Sequence, residues 1–232
     1  MLYQDASAVA AGGGLLELVD GRLVPASDLF LAEFDEVQSK TSSTYRELVG
    51  ILWCLIATAH VTKHRIVFAC DNWQSVNAIK RGSRNPIIQA IAEKIFRWCL
   101  NNNKVFWHTW LHRTDMVIKE GDRRSRLSIP HGDRSPQAVI VAANELAMII
   151  WHQEISFDQA ASHRSAIRIR GKRIPFNAFC MQPGAAGVDT FRCWDSWSHN
   201  INYVYPPAPM TGRLASFLPT TKAKTILSLI HI

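Results

Sequence analysis

The sequence predicts an α/β fold, with a mixed five-stranded sheet and flanking helices, in roughly its first 135 residues. A short β-branched run, RIVFAC at Arg65–Cys70, is flanked by polar residues, as a buried strand is. Apolar residues recur on one face of residues 44–60, which is typical of an amphipathic helix. The element order of three strands, helix, strand, helices and strand indicates a sheet with an antiparallel hairpin half.

The individual elements follow from local patterns. Residues 1–5 are expected to form a first strand, the Gly12-Gly13-Gly14 run a turn, and residues 15–24 and 29–34 the next two strands. After the helix at 44–60 and the strand at 65–70, a helix over 73–80 should stop near Gly82. Pro86 suits the first turn of another helix, Pro86–Asn101, and residues 104–110 complete the sheet.

The remainder of the chain is less regular. An apolar helix, Gln137–Trp151, is interpreted as part of a linking region, residues 136–162. Residues 163–232 are rich in Pro, Trp and Ser and form a poorly defined C-terminal segment. Because the first strand is short and the final TILSLIHI resembles a strand cut at its end, both ends are expected to be truncated.

Composition restricts the class of protein. The five cysteines are scattered and never spaced as CxxC, which argues against a disulfide framework or a zinc site. No long apolar run or signal pattern is present, so a cytoplasmic or nuclear protein without a membrane span is expected. Residues 1–60 contain eight acids and three bases, whereas the rest contain 11 acids and 23 bases. A basic body beside an acidic cluster favours nucleic-acid binding.

Four carboxylates occupy positions where strands end or helices begin: Asp5, Glu47, Asp71 and Asp122. Such positions can converge on one rim of a sheet, where the acids would repel one another unless they shared divalent cations. Two Mg²⁺ ions about 4 Å apart are a common arrangement for phosphodiester cleavage. Each acid also has a structural alternative: a turn residue for Asp5, a capping box with Thr44 for Glu47, a cap of the following helix by Asp71 or Asn72, and an ion pair with Arg126 for Asp122.

Four motifs in this order resemble those of retroelement ribonucleases H: DAS at residues 5–7 with the glycines at 12–14, SSTYREL at 42–48, CDN at 70–72, and WLHR at 110–113 followed by GDRRSR at 121–126. The resemblance covers about residues 1–126. It implies a ribonuclease H-like sheet and an endonuclease, part of a retrotransposon reverse transcriptase polyprotein of DIRS or LTR type, that cleaves RNA in RNA–DNA hybrids. It further implies two Mg²⁺ ions, or Mn²⁺, held by the catalytic residues Asp5, Glu47, Asp71 and Asp122, and a polymerase domain upstream.

The chain departs from this family pattern in three places. The segment between Arg113 and Asp122 lacks the usual Asn, Gly121 replaces a common Ala, and Cys70 stands where Thr or Ser is frequent. Cellular relatives often carry a loop histidine that helps to release product. His112 is the nearest candidate, with a hydrogen-bonded surface residue as the alternative.

Basic residues near the acids are the expected contacts to the hybrid: Lys80, Arg81, Arg84, Arg113 and Arg126. A further basic run at residues 168–173 either contacts nucleic acid or is an exposed, alternating strand. Residues 187–210 resemble, more loosely, the region after ribonuclease H in DIRS-type retroelements, which is likened to adenine methyltransferases. The Pro206-Pro207 motif lacks the leading Asp or Asn and no glycine-rich loop is visible, so an aromatic packing segment is favoured over methyl transfer.

Three rival hypotheses remain. A non-catalytic connection module with the same fold would bind nucleic acid without cutting it. A DDE-type transposase or integrase shares the fold and the metal chemistry, although the early REL helix start argues against it. A decayed fragment of a relic element is the third.

Overall fold

The computed structural model describes residues 1–127 and 136–228, which belong to two compact units, Met1–Leu127 and Ser128–Ile232. The predicted domain boundary at residue 135 lies outside the described residues. The elements of the first unit are β1 (Leu2–Ala6), β2 (Ala10–Val19), β3 (Arg22–Glu33), α1 (Glu36–Ser39), α2 (Ser43–Ala57), β4 (Arg65–Cys70), α3 (Trp73–Arg81), α4 (Pro86–Asn101), β5 (Val105–Trp110) and α5 (Met116–Ser125).

The five strands form one mixed sheet in the order β3-β2-β1-β4-β5. β1 pairs antiparallel with β2 and β2 antiparallel with β3, whereas β4 lies parallel to both β1 and β5. The predicted α/β class and five-stranded mixed sheet are therefore confirmed. Because β1 and β4 are parallel neighbours, their carboxyl ends reach the same edge of the sheet.

Helix α2 lies against the sheet because its apolar positions share one face. Leu48, Ile51 and Leu55 are completely or almost completely buried. The helix begins after Ser42, whose hydroxyl accepts a hydrogen bond from the Tyr45 backbone amide. Helix α4 begins with Pro86 in its first turn after the Asn85 cap, as predicted.

The glycine run was predicted as a turn, and this prediction is wrong. Gly12, Gly13 and Gly14 lie inside β2, and the chain turns instead at Asp20-Gly21. A Cβ on Gly12 would lie 2.2 Å from the Ser125 backbone nitrogen. Gly12 is therefore needed because α5 crosses β2 at backbone distance. Helix α5 itself was not predicted, since half of its ten residues are charged and only three, all in its first turn, are apolar.

The second unit contains short elements: α6 (Gln137–Trp151), β6 (Phe157–Asp158), β7 (Arg168–Ile169), β8 (Lys172–Arg173), β9 (Asn177–Ala178), β10 (Gly187–Val188), α7 (Trp194–Ser198), β11 (Ile201–Val204), α8 (Thr211–Thr221) and β12 (Lys224–Leu227), with 3₁₀ turns at Thr190–Arg192 and Ala208–Met210. Strands β12, β11 and β6 form a parallel sheet. The last four residues of the predicted terminal strand lie outside the described residues.

The helix predicted as a link, α6, packs within the core of the second unit. Its Ile140 and Ala147 share a buried cluster with Ile201 and Tyr203 of β11. All five cysteines of the chain are free thiols. Among the described residues, no helix combines the length and the apolar character needed to cross a membrane.

Candidate metal centre

Three of the four predicted carboxylates converge at the sheet edge where β1 and β4 end. One carboxylate oxygen from each of Asp5, Glu47 and Asp71 lies within 4.8 Å of the other two. Asp5 is on β1, Glu47 is on the first turns of α2, and Asp71 directly follows β4. Asp5 and Glu47 are only 5% and 3% exposed, so neither charge is well solvated by water.

The fourth predicted ligand, Asp122, lies on α5 beside Asp5 but outside this group of three. Its side chain is 43% exposed and forms an ion pair with Arg126 at 2.6 Å. Hydrogen bonds from Arg126 lower the pKa of Asp122. Asp122 nevertheless contributes to the repulsion that acts on Asp5. The ion pair with Arg126, which was the structural alternative for Asp122, is therefore present, and it lies next to the acidic cluster.

The electrostatics of the cluster are unfavourable. Burial raises the pKa of Asp5 to about 6, and the negative charges of Asp71 and Asp122 contribute to this rise, against smaller opposing effects of Arg113 and Ser125. Burial, and then the charge of Asp5, also raises the pKa of Glu47 well above its usual value. Both shifts indicate that the buried acids are short of positive charge.

Glu47 is held by two donors from β1. The Gln4 side-chain amide donates to Oε2 of Glu47 at 2.5 Å, and the Ala6 backbone amide donates to Oε1 at 3.0 Å. Gln4 is completely buried, and a Cβ on Gly50 would lie 2.4 Å from its Oε1. The role of Gln4 was not predicted; the available signal was an amide in an otherwise apolar strand immediately before Asp5.

The motif residues around the acids form hydrogen bonds between the elements that carry the site. Arg46, which precedes Glu47, donates through Nε to the carbonyl of Ser7 at 3.0 Å and also binds the carbonyls of Ser39 and Thr41. The Ser7 hydroxyl donates to the Ser125 carbonyl at 2.9 Å. The DAS and REL motifs thus fasten β1 to the loop before α2 and to the end of α5.

Two of the structural alternatives for the acids are wrong, and the third, a helix cap by Asp71 or Asn72, is present through Asn72. Asp5 lies within β1 rather than in a turn. Glu47 does not cap α2, because Ser42 does so and the Thr44 hydroxyl binds Gln74 instead. Asn72 alone caps α3, which leaves the Asp71 carboxylate to face Arg113 at 3.1 Å.

The predicted nucleic-acid contacts lie at the surface of the first unit: Lys80, Arg81, Arg84, Arg113 and Arg126. Arg113 and Arg126 are ion-paired with Asp71 and Asp122 and so lie at the acidic cluster. Lys80 and Arg81 form the last turn of α3. Arg84 lines a cavity of about 530 Å³, together with Ser42, Thr44, Gln74 and Asn77 among other residues.

Two histidines flank this region. His112 is exposed, its Nδ1 lies 2.8 Å from the Thr114 hydroxyl, and its ring meets Trp110 edge-on. His108 is buried, with Nε2 3.1 Å from the Cys70 sulfur. Burial lowers the pKa of His108 to about 3, so this histidine is neutral. It is an uncharged partner of Cys70, the residue before Asp71.

Comparisons with known proteins agree with this geometry. Residues 22–118 match the model of a family described as reverse transcriptase-like. The match includes Glu47 and Asp71 and covers most of the first unit, whereas Asp5 and Asp122 lie outside it. No curated protein matches the chain significantly. Together with the mixed sheet and the acidic triad, this match shows that the first unit is a ribonuclease H-like domain of the reverse transcriptase-like family, of the kind found in retroelements.

Proposed function

We propose that the first unit is a metal-dependent endonuclease that cleaves RNA in RNA–DNA hybrids, as part of a retrotransposon reverse transcriptase polyprotein. The observation that carries this proposal is the meeting of Asp5, Glu47 and Asp71 within 4.8 Å at one edge of the sheet. The match to the reverse transcriptase-like family supports the same substrate class.

The residues fit a divalent cation. Carboxylate oxygens are hard ligands, which Mg²⁺ and Mn²⁺ prefer. Burial, and then the negative charges of Asp71 and Asp122, raise the pKa of Asp5, and a bound cation would offset both effects. Asp5, Glu47 and Asp71 would hold the metal, and Asp122 would join them by exchanging its partner Arg126. We propose two ions, which would polarise the phosphodiester and lower the pKa of the attacking water.

The protein's own residues orient these acids and the substrate. Gln4 and the Ala6 amide fix both oxygens of Glu47, while the Ser125 hydroxyl approaches Asp5 at 3.4 Å. Because these donors come from β1 and α5, the carboxylates are positioned before substrate arrives. Arg113 and Arg126 are placed to contact phosphates close to the acids.

The substrate would lie across the surface that begins at α3. Lys80 and Arg81 supply positive charge, and the cavity beside Arg84 presents the hydroxyls of Ser42 and Thr44 and the amides of Gln74 and Asn77. Hydroxyl, amide and guanidinium groups are the usual donors to phosphates and sugars. Such contacts recognise the shape and backbone of a hybrid rather than its sequence.

Cleavage of an end-labelled hybrid tests the proposal. The chain should cut the RNA strand in Mg²⁺ or Mn²⁺ and lose this activity with a chelator. Asp71→Asn should reduce the rate by at least about a hundredfold, because a ligand of the reacting centre is lost. Glu93 is an exposed acid on α4, so Glu93→Gln is the matched control and should retain full activity.

The rival hypotheses give different results in the same assay. An intact hybrid at saturating Mg²⁺ and Mn²⁺, with undiminished binding, would favour a non-catalytic module. Cleavage or joining of duplex DNA instead of the hybrid would favour a transposase or integrase.

A further inference from the structure

We propose that a basic hairpin in the second unit binds the phosphate backbone of nucleic acid. The basic hairpin is defined as residues 164–173, which include β7, β8 and the turn between them. It contains five cations and no acid: Arg164, Arg168, Arg170, Lys172 and Arg173. The other described residues of this unit have four cations and five acids. The positive charge of the described unit therefore comes from this hairpin.

The turn of the basic hairpin carries an arginine where turn geometry does not favour one. Arg170 and Gly171 have φ angles of 48° and 78°, the pattern of a type I′ turn. Asn, Asp or Gly normally occupies the first of these positions, because other residues are strained at positive φ. Arg170 pairs with Glu154 at 2.8 Å, but its side chain is 78% exposed, and such pairs contribute little.

The two strands of the hairpin also place like charges face to face. Arg168 lies directly opposite Arg173 in the ladder. Like charges at directly opposed positions destabilise a strand pair. Arg168 donates to the Gly171 carbonyl, and Arg173 donates to the His163 carbonyl and lies over the Phe176 ring. These contacts hold the two guanidinium groups in place at the surface of the hairpin, where a bound polyanion would screen their like charges.

The basic hairpin packs against the core of its unit. Ile169 is buried in the cluster that contains α6 and β11. Asp158 accepts a hydrogen bond from the Ile167 backbone amide at 3.1 Å, immediately before β7. The cations therefore project from a fixed support, which lowers the entropy lost on binding.

Nucleic acid is the partner that these features fit. Its backbone carries a regular negative charge, and Arg and Lys contacts to phosphate give affinity without sequence recognition. This partner is of the same class as the proposed substrate of the first unit. The inference does not depend on cleavage, because it concerns binding by the second unit.

The test uses the full chain, a fluorescein-labelled RNA–DNA hybrid and fluorescence anisotropy in EDTA at several salt concentrations. Arg170→Asn removes one charge and inserts a residue that suits the turn. We expect an unchanged or higher melting temperature, several-fold weaker binding at low salt, and a log–log salt slope reduced by about one. Lys222→Asn is the matched control, because Lys222 is also at positive φ and in the same unit. It should bind like the wild type.

Three results would overturn the proposal. The first is an equal loss of affinity in Arg170→Asn and Lys222→Asn, which would show only an effect of net charge. The second is undiminished binding in the double variant Arg168→Gln, Lys172→Gln. The third is competition by polyglutamate as strong as that by unlabelled hybrid, which would indicate an acidic protein partner. Because EDTA prevents metal-dependent cleavage, failure of the nuclease proposal would leave this result interpretable.

Discussion

The Gln4 side-chain amide lies 2.5 Å from the Glu47 carboxylate of the acidic cluster, and both residues are buried. A second contact joins the same Gln4 nitrogen to the Glu47 carbonyl at 3.3 Å. Gln4 therefore fixes the side chain and the backbone of a proposed metal ligand that comes from a different element. Such residues behind a ligand commonly change metal affinity although they never touch the metal.

Gln4→Leu should weaken Mg²⁺ binding by roughly tenfold, because Glu47 loses the donor that orients Oε2. Isothermal titration with Mg²⁺ measures this directly. The melting temperature without metal should fall, because two hydrogen bonds to buried Glu47 are lost although leucine fills a similar buried volume, so the titration is run well below the melting temperature of the variant. An unchanged Mg²⁺ affinity would show that the Ala6 amide alone positions Glu47.

Mg²⁺ should stabilise the wild-type chain, since the ion binds the folded carboxylate cluster and not the unfolded chain. At a hundred times the dissociation constant this amounts to about 2.7 kcal/mol. Asp71→Asn should abolish this gain and should also raise stability without metal, because one charge that repels Asp5 is removed. Thermal melting with and without Mg²⁺ measures both effects. Glu93→Gln should behave as the wild type. If Mg²⁺ still raised the melting temperature of Asp71→Asn, the assignment of Asp71 as a metal ligand would be contradicted.

Gly12→Ala should destabilise the first unit by more than about 3 kcal/mol, as severe overpacking does. The added Cβ would meet the Ser125 backbone nitrogen at 2.2 Å and force α5, with Asp122, away from β2. Gly212→Ala on α8 is the matched control, because no atom lies within 4 Å of the position that the alanine methyl group would take, and alanine favours a helix. Urea unfolding of both variants checks the contrast, and similar losses in the two would contradict it.

Asp158→Asn should alter how the stability of the second unit depends on pH. Burial raises the pKa of Asp158 to about 7 from 3.8. The folded state therefore holds a proton that the unfolded state has lost between about pH 4 and 7, so stability falls as the pH rises through this range. Asparagine can still accept the Ile167 amide without becoming charged. At pH 5 the free energies of unfolding of the variant and the wild type should be closer together. At pH 8 the variant should be more stable than the wild type by on the order of 3 kcal/mol. Urea unfolding at both pH values tests this, and equal stabilities at pH 8 would contradict it.

The sequence predicted the fold of the first unit because its strong elements are amphipathic over many residues. The strand Arg65–Cys70 and the helix Pro86–Asn101 were predicted with the bounds observed. The glycine run was misplaced because a turn and a close crossing of elements both require glycine, and at Gly12 only the position of α5 distinguishes them. Short, irregular elements prevented a similar prediction for the second unit.

The site was predicted in part for a related reason. The motifs identified the four acids, and parallel pairing of β1 with β4 explains why Asp5 and Asp71 meet. Gln4 was missed because its significance depends on Glu47, which is far away in sequence and adjacent in space. The pairing of Asp122 with Arg126 was anticipated as an alternative, but its position beside Asp5 depends on the packing of α5.

The central position of β1 has a kinetic consequence. β1 joins the local hairpin of β2 and β3 to β4, and its pairing of Leu2 with Phe68 closes a long loop. Such non-local contacts form slowly, because the entropy of loop closure is lost before the contacts stabilise the sheet. Asp5 and Asp71 can share an ion only after this step, so metal binding should follow the folding barrier rather than help the chain across it. In stopped-flow experiments, Mg²⁺ should slow unfolding while the refolding rate remains the same.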